Sequence, residues 1–268
     1  MYRTLGALAL SLLASSAFAD DIKVMVIDTG IGHHKDLDGI VQYDPSDDYK
    51  DSHGHGTHVA GIVAYGNKRQ IPMEMPHGRK PFTQDEKVCP QVKIYSCKYY
   101  VPDGNGLDRE IKCIKKATAL KMDYINFSGG GTDFSDGEYL AFKAFLDQGG
   151  SVFAAAGNEK ADLSEKSYYP ASYSLEDGFT DFQKKMVKKD GSKTYIPLRI
   201  YAVRNVDSSG KNSKLSNWHT LTYQEHGEDI YSTLPDDSYG LMTGTSQATP
   251  ALLHTILMQR CKKIDHKN

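Results

Sequence analysis

The sequence predicts an α/β protein built on a parallel sheet, and three observations carry that prediction. Ile22 to Ile27 is an apolar, β-branched run interrupted only by Lys23, as in a strand covered on both faces. Val59, Ile62 and Val63 repeat at helical spacing after Gly54-His55-Gly56. Strand-like and helix-like segments then alternate along the chain, which implies parallel strands joined by helical crossovers.

The elements follow in order. The first strand ends in Asp28-Thr29-Gly30, which puts Asp28 at its C-terminal end, where sites form in open α/β sheets. His55 sits near the start of the first helix. A second strand is expected over Val92–Tyr99. A helix over Asp108–Met122 follows, with Ile111, Ile114, Ala117 and Leu120 as its buried stripe. Asp123-Tyr-Ile-Asn-Phe127 reads as a strand leading into Ser128-Gly129-Gly130-Gly131. The last helix opens at Thr245-Ser246 and carries Ala248, Leu252, Leu253, Ile256 and Leu257. Pro250 is expected in its first turn, where an N–H has no partner.

At 268 residues, 39% hydrophobic and 25% charged, the composition is that of one globular domain, residues 20–268. A net charge of -2 argues against a nucleic-acid or anionic-membrane role. Lys184, Lys185, Lys188 and Lys189 read as a solvated face. Residues 1–19 have a signal-peptide pattern: Arg3, an apolar run Leu5 to Leu13, and Ala17-Phe18-Ala19. The expected protein is secreted or periplasmic, with no membrane span in the mature form. Export makes disulfides plausible for the four cysteines. The expected strand–helix layout favours Cys97–Cys113 and Cys89–Cys261; buried free thiols are the alternative. Two segments look inserted, 67–88 with three prolines and 175–197 with a hairpin around Asp190-Gly191.

Four segments carry chemistry. They are Val24-Met-Val-Ile-Asp28-Thr-Gly30, His55-Gly-Thr-His58-Val-Ala-Gly61, Ala154-Ala-Ala-Gly-Asn158-Glu159 and Gly244-Thr-Ser246-Gln-Ala-Thr-Pro250. A serine hydroxyl is a weak nucleophile that needs an adjacent base. Histidine titrates near neutrality, and a buried carboxylate fixes its tautomer. Taken singly, Asp28 would be a turn residue, Asn158 a loop residue and Ser246 a helix cap. His53, His55 and His58 could also be read as metal ligands, but no flanking carboxylate or cysteine set supports that.

In order and setting these four segments resemble the subtilisin-like serine proteases, over roughly residues 22–257. The resemblance implies a subtilisin-like three-layer fold, with a mostly parallel central sheet flanked by helices. It implies a serine endopeptidase with Ser246 as nucleophile, His55 as general base and acid, Asp28 as orienter and Asn158 in the oxyanion hole. Substrate polypeptide would pair with Ser128, Gly129 and Gly130 and lie against Ala155, Ala156 and Gly157. Anchoring on Tyr169-Pro170 puts Tyr168 near the floor of the primary pocket, where it would favour small or medium side chains. Tyr201–Ser209 resembles the family's later core strand, and Ile230–Leu234 with Tyr239-Gly240 its approach to the serine. No cofactor is expected. Asp36 falls where a family calcium ligand often lies, but without a companion loop no bound metal is predicted.

Two departures bear on the expected function. The first strand begins just after the expected cleavage site, so no propeptide is recognised. The domain would fold unaided, or a separate folding or inhibitory protein would take that part. The chain after Ser246 offers only one helix and a polar tail. Alternatives to hydrolysis are a subtilase-fold peptide ligase or transpeptidase, and a pseudoprotease that binds a partner. An esterase on an α/β-hydrolase fold is disfavoured, because Ser246 lacks a G-x-S-x-G elbow.

Overall fold

Strand β1 (Ile22–Asp28) is an interior strand of the main sheet and shows why the fold has three layers. In a strand alternate side chains point to opposite faces. Ile22, Val24 and Val26 pack among Val59, Val63, Leu253 and Leu257. Met25 and Ile27 pack on the other side, among Ile114, Ala117, Phe142 and Phe145. Helices α1 (His55–Tyr65) and α4 (Thr245–Asp265) thus cover one face. Helices α2 (Gly106–Ala119) and α3 (Asp136–Asp147) cover the other. This computed structural model describes residues 21–43, 50–67, 82–101, 104, 106–175 and 200–265. The expected signal segment 1–19, most of both inserted segments, the Asp190-Gly191 hairpin and the lysines at 184, 185, 188 and 189 lie outside the described residues.

Among the described residues the main sheet has seven strands. Besides β1 they are β2 (Val41–Gln42), β3 (Val92–Lys98), β4 (Tyr124–Phe127), β5 (Ser151–Ala155), β6 (Ile200–Val206) and β7 (Tyr223–His226). The spatial order is β2-β3-β1-β4-β5-β6-β7, and every pairing is parallel. The chain builds outward from β1 in one direction through β3, then in the other from β4. The crevice beyond the ends of β1 and β4 is therefore a topological switch point, where ligands bind in open α/β sheets. Ile27 pairs with Phe127 across it, so Asp28 and Ser128 leave neighbouring strands side by side.

Strands β8 (Ile230–Leu234) and β9 (Ser238–Met242) form a separate antiparallel hairpin. It is strapped to α1: Ser232 Oγ donates to His58 O at 2.7 Å and Thr233 Oγ1 to Thr57 O at 2.8 Å. The disulfides are Cys89–Cys261 and Cys97–Cys113. The first ties the residues before β3 to the end of α4; the second ties β3 to α2. No helix of the described residues is long and apolar enough to cross a membrane.

Two sequence expectations are corrected. In the expected stripe of α2, Ile114 and Ala117 are buried and Ile111 packs half-buried against the core, but Leu120 is not part of it; Glu110 and Cys113 are buried instead. The helix ends at Ala119, so Leu120 falls in the turn before Lys121 and is 42% exposed. Cys113 is drawn inward by its disulfide, and Glu110 by the buried Glu138 of α3. Pro250 is not in the first turn of α4, because the helix begins at Thr245. A proline at that depth removes an intrahelical hydrogen bond.

Candidate active site

The four motif residues gather at the C-terminal ends of β1, β4 and β5. Asp28 is the last residue of β1 and only 3% exposed. His55 opens α1, and its Nδ1 lies 2.7 Å from Asp28 Oδ1. The same oxygen accepts the Thr29 N–H at 2.7 Å. Gly56 permits this approach: a Cβ there would collide with the Gly30 carbonyl oxygen. Burial by itself would lower the His55 imidazole. The Asp28 carboxylate, beside it and bonded to it, outweighs that with help from Asp51, so its pKa is raised above 6.5.

The carboxylate of Asp51, absent from the sequence prediction, organises the start of α1. Its Oδ1 accepts from Thr29 Oγ1 at 2.8 Å, His53 N–H at 3.1 Å and Gly54 N–H at 2.7 Å. Its Oδ2 accepts from Thr57 N–H at 2.9 Å and Thr57 Oγ1 at 2.6 Å. Gly54 has no side chain with which to cap α1, and Asp51 supplies the cap from three residues upstream. Thr29 Oγ1 also accepts the Gly56 N–H at 2.9 Å. One carboxylate thereby locks the exit of β1, which carries Asp28, to the helix start that carries His55. Burial would raise the Asp51 pKa, but the bonds from Thr57, Gly54 and Thr29 hold it below the usual value.

Ser246 lies in the first turn of α4, half-buried. Its Oγ donates to Ser128 O at 2.9 Å. No hydrogen bond joins Ser246 to His55 among the described residues; they are linked through the strands that bear Ser128 and Asp28, which run about 4.8 Å apart. Asn158 follows β5. Its Oδ1 accepts the Thr245 N–H at 3.0 Å and Thr245 Oγ1 at 3.3 Å. That leaves Nδ2 as its outward donor, beside the Ser246 turn. Asn217, also missed in the sequence, fixes this loop. Its Oδ1 accepts the N–H groups of Glu159 and Ala161, and its Nδ2 donates to Ala156 O. Asn217 is separated from the motif by about sixty residues, and no local pattern marks it.

Ser128, Gly129 and Gly130 follow β4, while Ala155, Ala156 and Gly157 end and follow β5. The Tyr168 ring is wedged between the two segments. A Cβ on Gly130 would meet its Cε1 at 2.5 Å, and one on Gly157 its Cγ at 2.9 Å. Burial, with Glu159 and Glu110 adding, pushes the Tyr168 hydroxyl up to about 12.

Of the two neighbouring histidines, His53 lies edge-on to the His55 ring at 6.2 Å between centroids, and His58 is engaged elsewhere. His58 Nε2 lies 3.0 Å from Ile230 O and 3.2 Å from Gly240 O, and burial lowers its pKa to about 4. It is a neutral clamp between α1 and the hairpin. His53 packs edge-on against Tyr100. Asp36 takes the Tyr239 hydroxyl. Among the described residues no group of three or more His, Cys, Asp or Glu could hold a metal ion.

Residues 19–252 match the model of the subtilase family, peptidase family S8. The minor extracellular protease Epr of Bacillus subtilis is 30% identical over 253 residues, 90% of this chain and 32% of that protein. Subtilisin amylosacchariticus of Bacillus subtilis subsp. amylosacchariticus is 32% identical over 238 residues, 86% of this chain and 53% of that protein. Subtilisin DY of Bacillus licheniformis is 31% identical over 237 residues, 86% of this chain and 73% of that protein. The chain thus spans about a third to a half of the first two relatives. The prenylagaramide maturation protease PagA has the same fold, with TM-score 0.65 and 21% identity, over 92% of this chain and 77% of that one. A cold adapted subtilisin-like serine proteinase superposes with TM-score 0.64 and 24% identity, over 90% of this chain and 75% of that one.

Proposed function

The chain belongs to the subtilase family of serine peptidases, and from that premise we propose that it is a secreted endopeptidase working through an acyl-enzyme. The observation that carries this reading is the 2.7 Å contact of a buried Asp28 with His55 at the switch point of a parallel sheet. Ser246 and Asn158 stand at the same sheet edge.

Ser246 Oγ rotates from Ser128 O toward His55 Nε2 and attacks the scissile carbonyl as His55 takes its proton. Asp28 holds Nδ1 protonated, so Nε2 is the free base, and stabilises the imidazolium that forms. The oxyanion is met by Asn158 Nδ2, whose Oδ1 is already committed to Thr245, and by the Ser246 N–H at the positive end of α4. His55 then protonates the leaving amine as the C–N bond breaks. Water, deprotonated by His55, attacks the ester carbonyl, and His55 returns that proton to Ser246 Oγ as the C–O bond breaks and the acid leaves. Ser128 to Gly130 and Ala155 to Gly157 flank the substrate backbone. The Tyr168 ring closes the primary pocket early, so small or medium side chains precede the cleaved bond. The export pattern of residues 1–19 supports secretion.

The test is a serine-directed fluorophosphonate, read by intact mass on the mature protein. One adduct, lost in Ser246→Ala, is the expected result. No adduct on folded protein refutes the reading. A peptide library then reads the pocket, and a strong preference for Phe or Leu before the cleaved bond refutes the role given to Tyr168.

A further inference from the structure

In an α-helix the carbonyl of one residue takes the N–H of the residue four places on. For Ser246 that residue is Pro250, which has no N–H to give. The carbonyl is met instead from outside the helix, by Ser128 Oγ at 2.9 Å. Asn126 Nδ2 donates in turn to Ser128 Oγ at 3.0 Å, which fixes the direction of the Ser128 hydroxyl. Asn126 and Ser128 are both buried, at 0% and 5% exposure, and the bond between them is closed to water. The relay is short and rooted in the sheet, since Asn126 belongs to β4.

The geometry points to Ser128 as a positioning residue for acyl transfer: its hydroxyl, aimed by Asn126, anchors the turn that carries Ser246 by filling the carbonyl that Pro250 leaves open. This role rests on the reading of Ser246 as nucleophile. It is separate from the pairing of the Ser128 backbone with substrate. Both the Ser246 Oγ and the Ser246 N–H proposed for the oxyanion hang on the residue whose carbonyl is held. A loosened turn would misplace nucleophile and donor together, while the walls of the substrate cleft stay put. The signature is therefore a loss in kcat with little change in KM.

Four proteins test this: wild type, Ser128→Ala, Pro250→Ala and the double variant. Pro250→Ala restores an N–H within reach of Ser246 O, so the anchor becomes redundant. On a peptide substrate Ser128→Ala is expected to lower kcat about tenfold, with KM within about twofold. In the Pro250→Ala background the same change should cost only about twofold. Melting the same four proteins gives a second reading that needs no activity. Ser128→Ala should lower Tm by about 3 °C with Pro250 present and by about 1 °C in the Pro250→Ala background. Equal costs in both backgrounds, or a change in KM alone, overturn the anchor. Failure to fold only when Pro250 is present is the same coupling in stronger form; failure in both backgrounds alike overturns it. A wild type that neither turns over nor labels would sink the peptidase reading, and the melting cycle would still decide whether the anchor exists.

Discussion

Replacing Asp51 by Asn should destabilise the protein more than its distance from the reacting serine would suggest. The carboxylate is 6% exposed and accepts five hydrogen bonds, from Thr29, His53, Gly54 and twice from Thr57. An asparagine keeps the volume and one acceptor oxygen. Its amide nitrogen cannot accept from the Thr57 N–H, and a buried donor left without a partner costs about 1–3 kcal/mol. The remaining bonds change from charge-assisted to neutral, each losing roughly 1 kcal/mol. Together, with three bonds to the retained oxygen, these give about 4–6 kcal/mol, or a fall in Tm of about 8–24 °C for a domain of this size. The pH dependence identifies the cause. The folded pKa of Asp51 is lowered, so its contribution is fully present above the ordinary carboxylate range and fades as pH falls through the lowered value. The assay is the difference in Tm between wild type and Asp51→Asn from pH 7 down to pH 2. The gap should be constant near neutrality and shrink only in acid, and other carboxylates cancel in the difference. A gap below about 1 °C at pH 7, or one that grows in acid, refutes the argument.

Other predictions read different parts of the site. The acid limb of kcat/KM should have its midpoint above 6.5, because Asp28 raises His55 and the base must be neutral; Asp28→Asn should move that limb to lower pH. Asn158→Ala should lower kcat about 10²–10³-fold with KM little changed, the cost of losing one oxyanion-hole donor in subtilisin, and a loss confined to KM would remove Asn158 from that role. Tyr168→Gly should raise kcat/KM for Phe over Ala before the cleaved bond by about 10–100-fold, since burying an aromatic side chain is worth about 1.5–3 kcal/mol; an unchanged ratio in a cleavage profile counts against the pocket assignment. Replacing Cys89 and Cys261 by alanine should cost more stability than replacing Cys97 and Cys113, because the pairs close loops with sequence separations of 172 and 16, worth about 5 and 3 kcal/mol on the chain-entropy account. Chemical denaturation gives the order.

The placement of Asp28, His55 and Ser246 was legible because each sits where local pattern changes, a strand exit or a helix start; the roles proposed for them came from the resemblance of the four segments taken together. The near-continuous apolar run of β1 likewise called for cover on both faces, since odd and even residues must bury against different partners. Asp51 was not legible, because its partners come from two elements and its neighbours Asp47, Asp48 and Lys50 make it look like a solvated turn. The one local signal was an acidic residue three before Gly54 and six before Thr57, at the head of a helix. Leu120 was misplaced because hydrophobic period alone does not say where a helix stops, and the left-handed Lys121 ends it first. Pro250 was misjudged for a related reason. It was expected in the first turn, where it would leave no carbonyl open, whereas it lies beyond that turn and the carbonyl it leaves open is answered by Ser128, 118 residues away in sequence. A proline in the second turn of the helix that carries Ser246 is a local fault only when that helix is read alone. In the folded chain it frees an acceptor through which Ser246 is tied to the segment that follows β4.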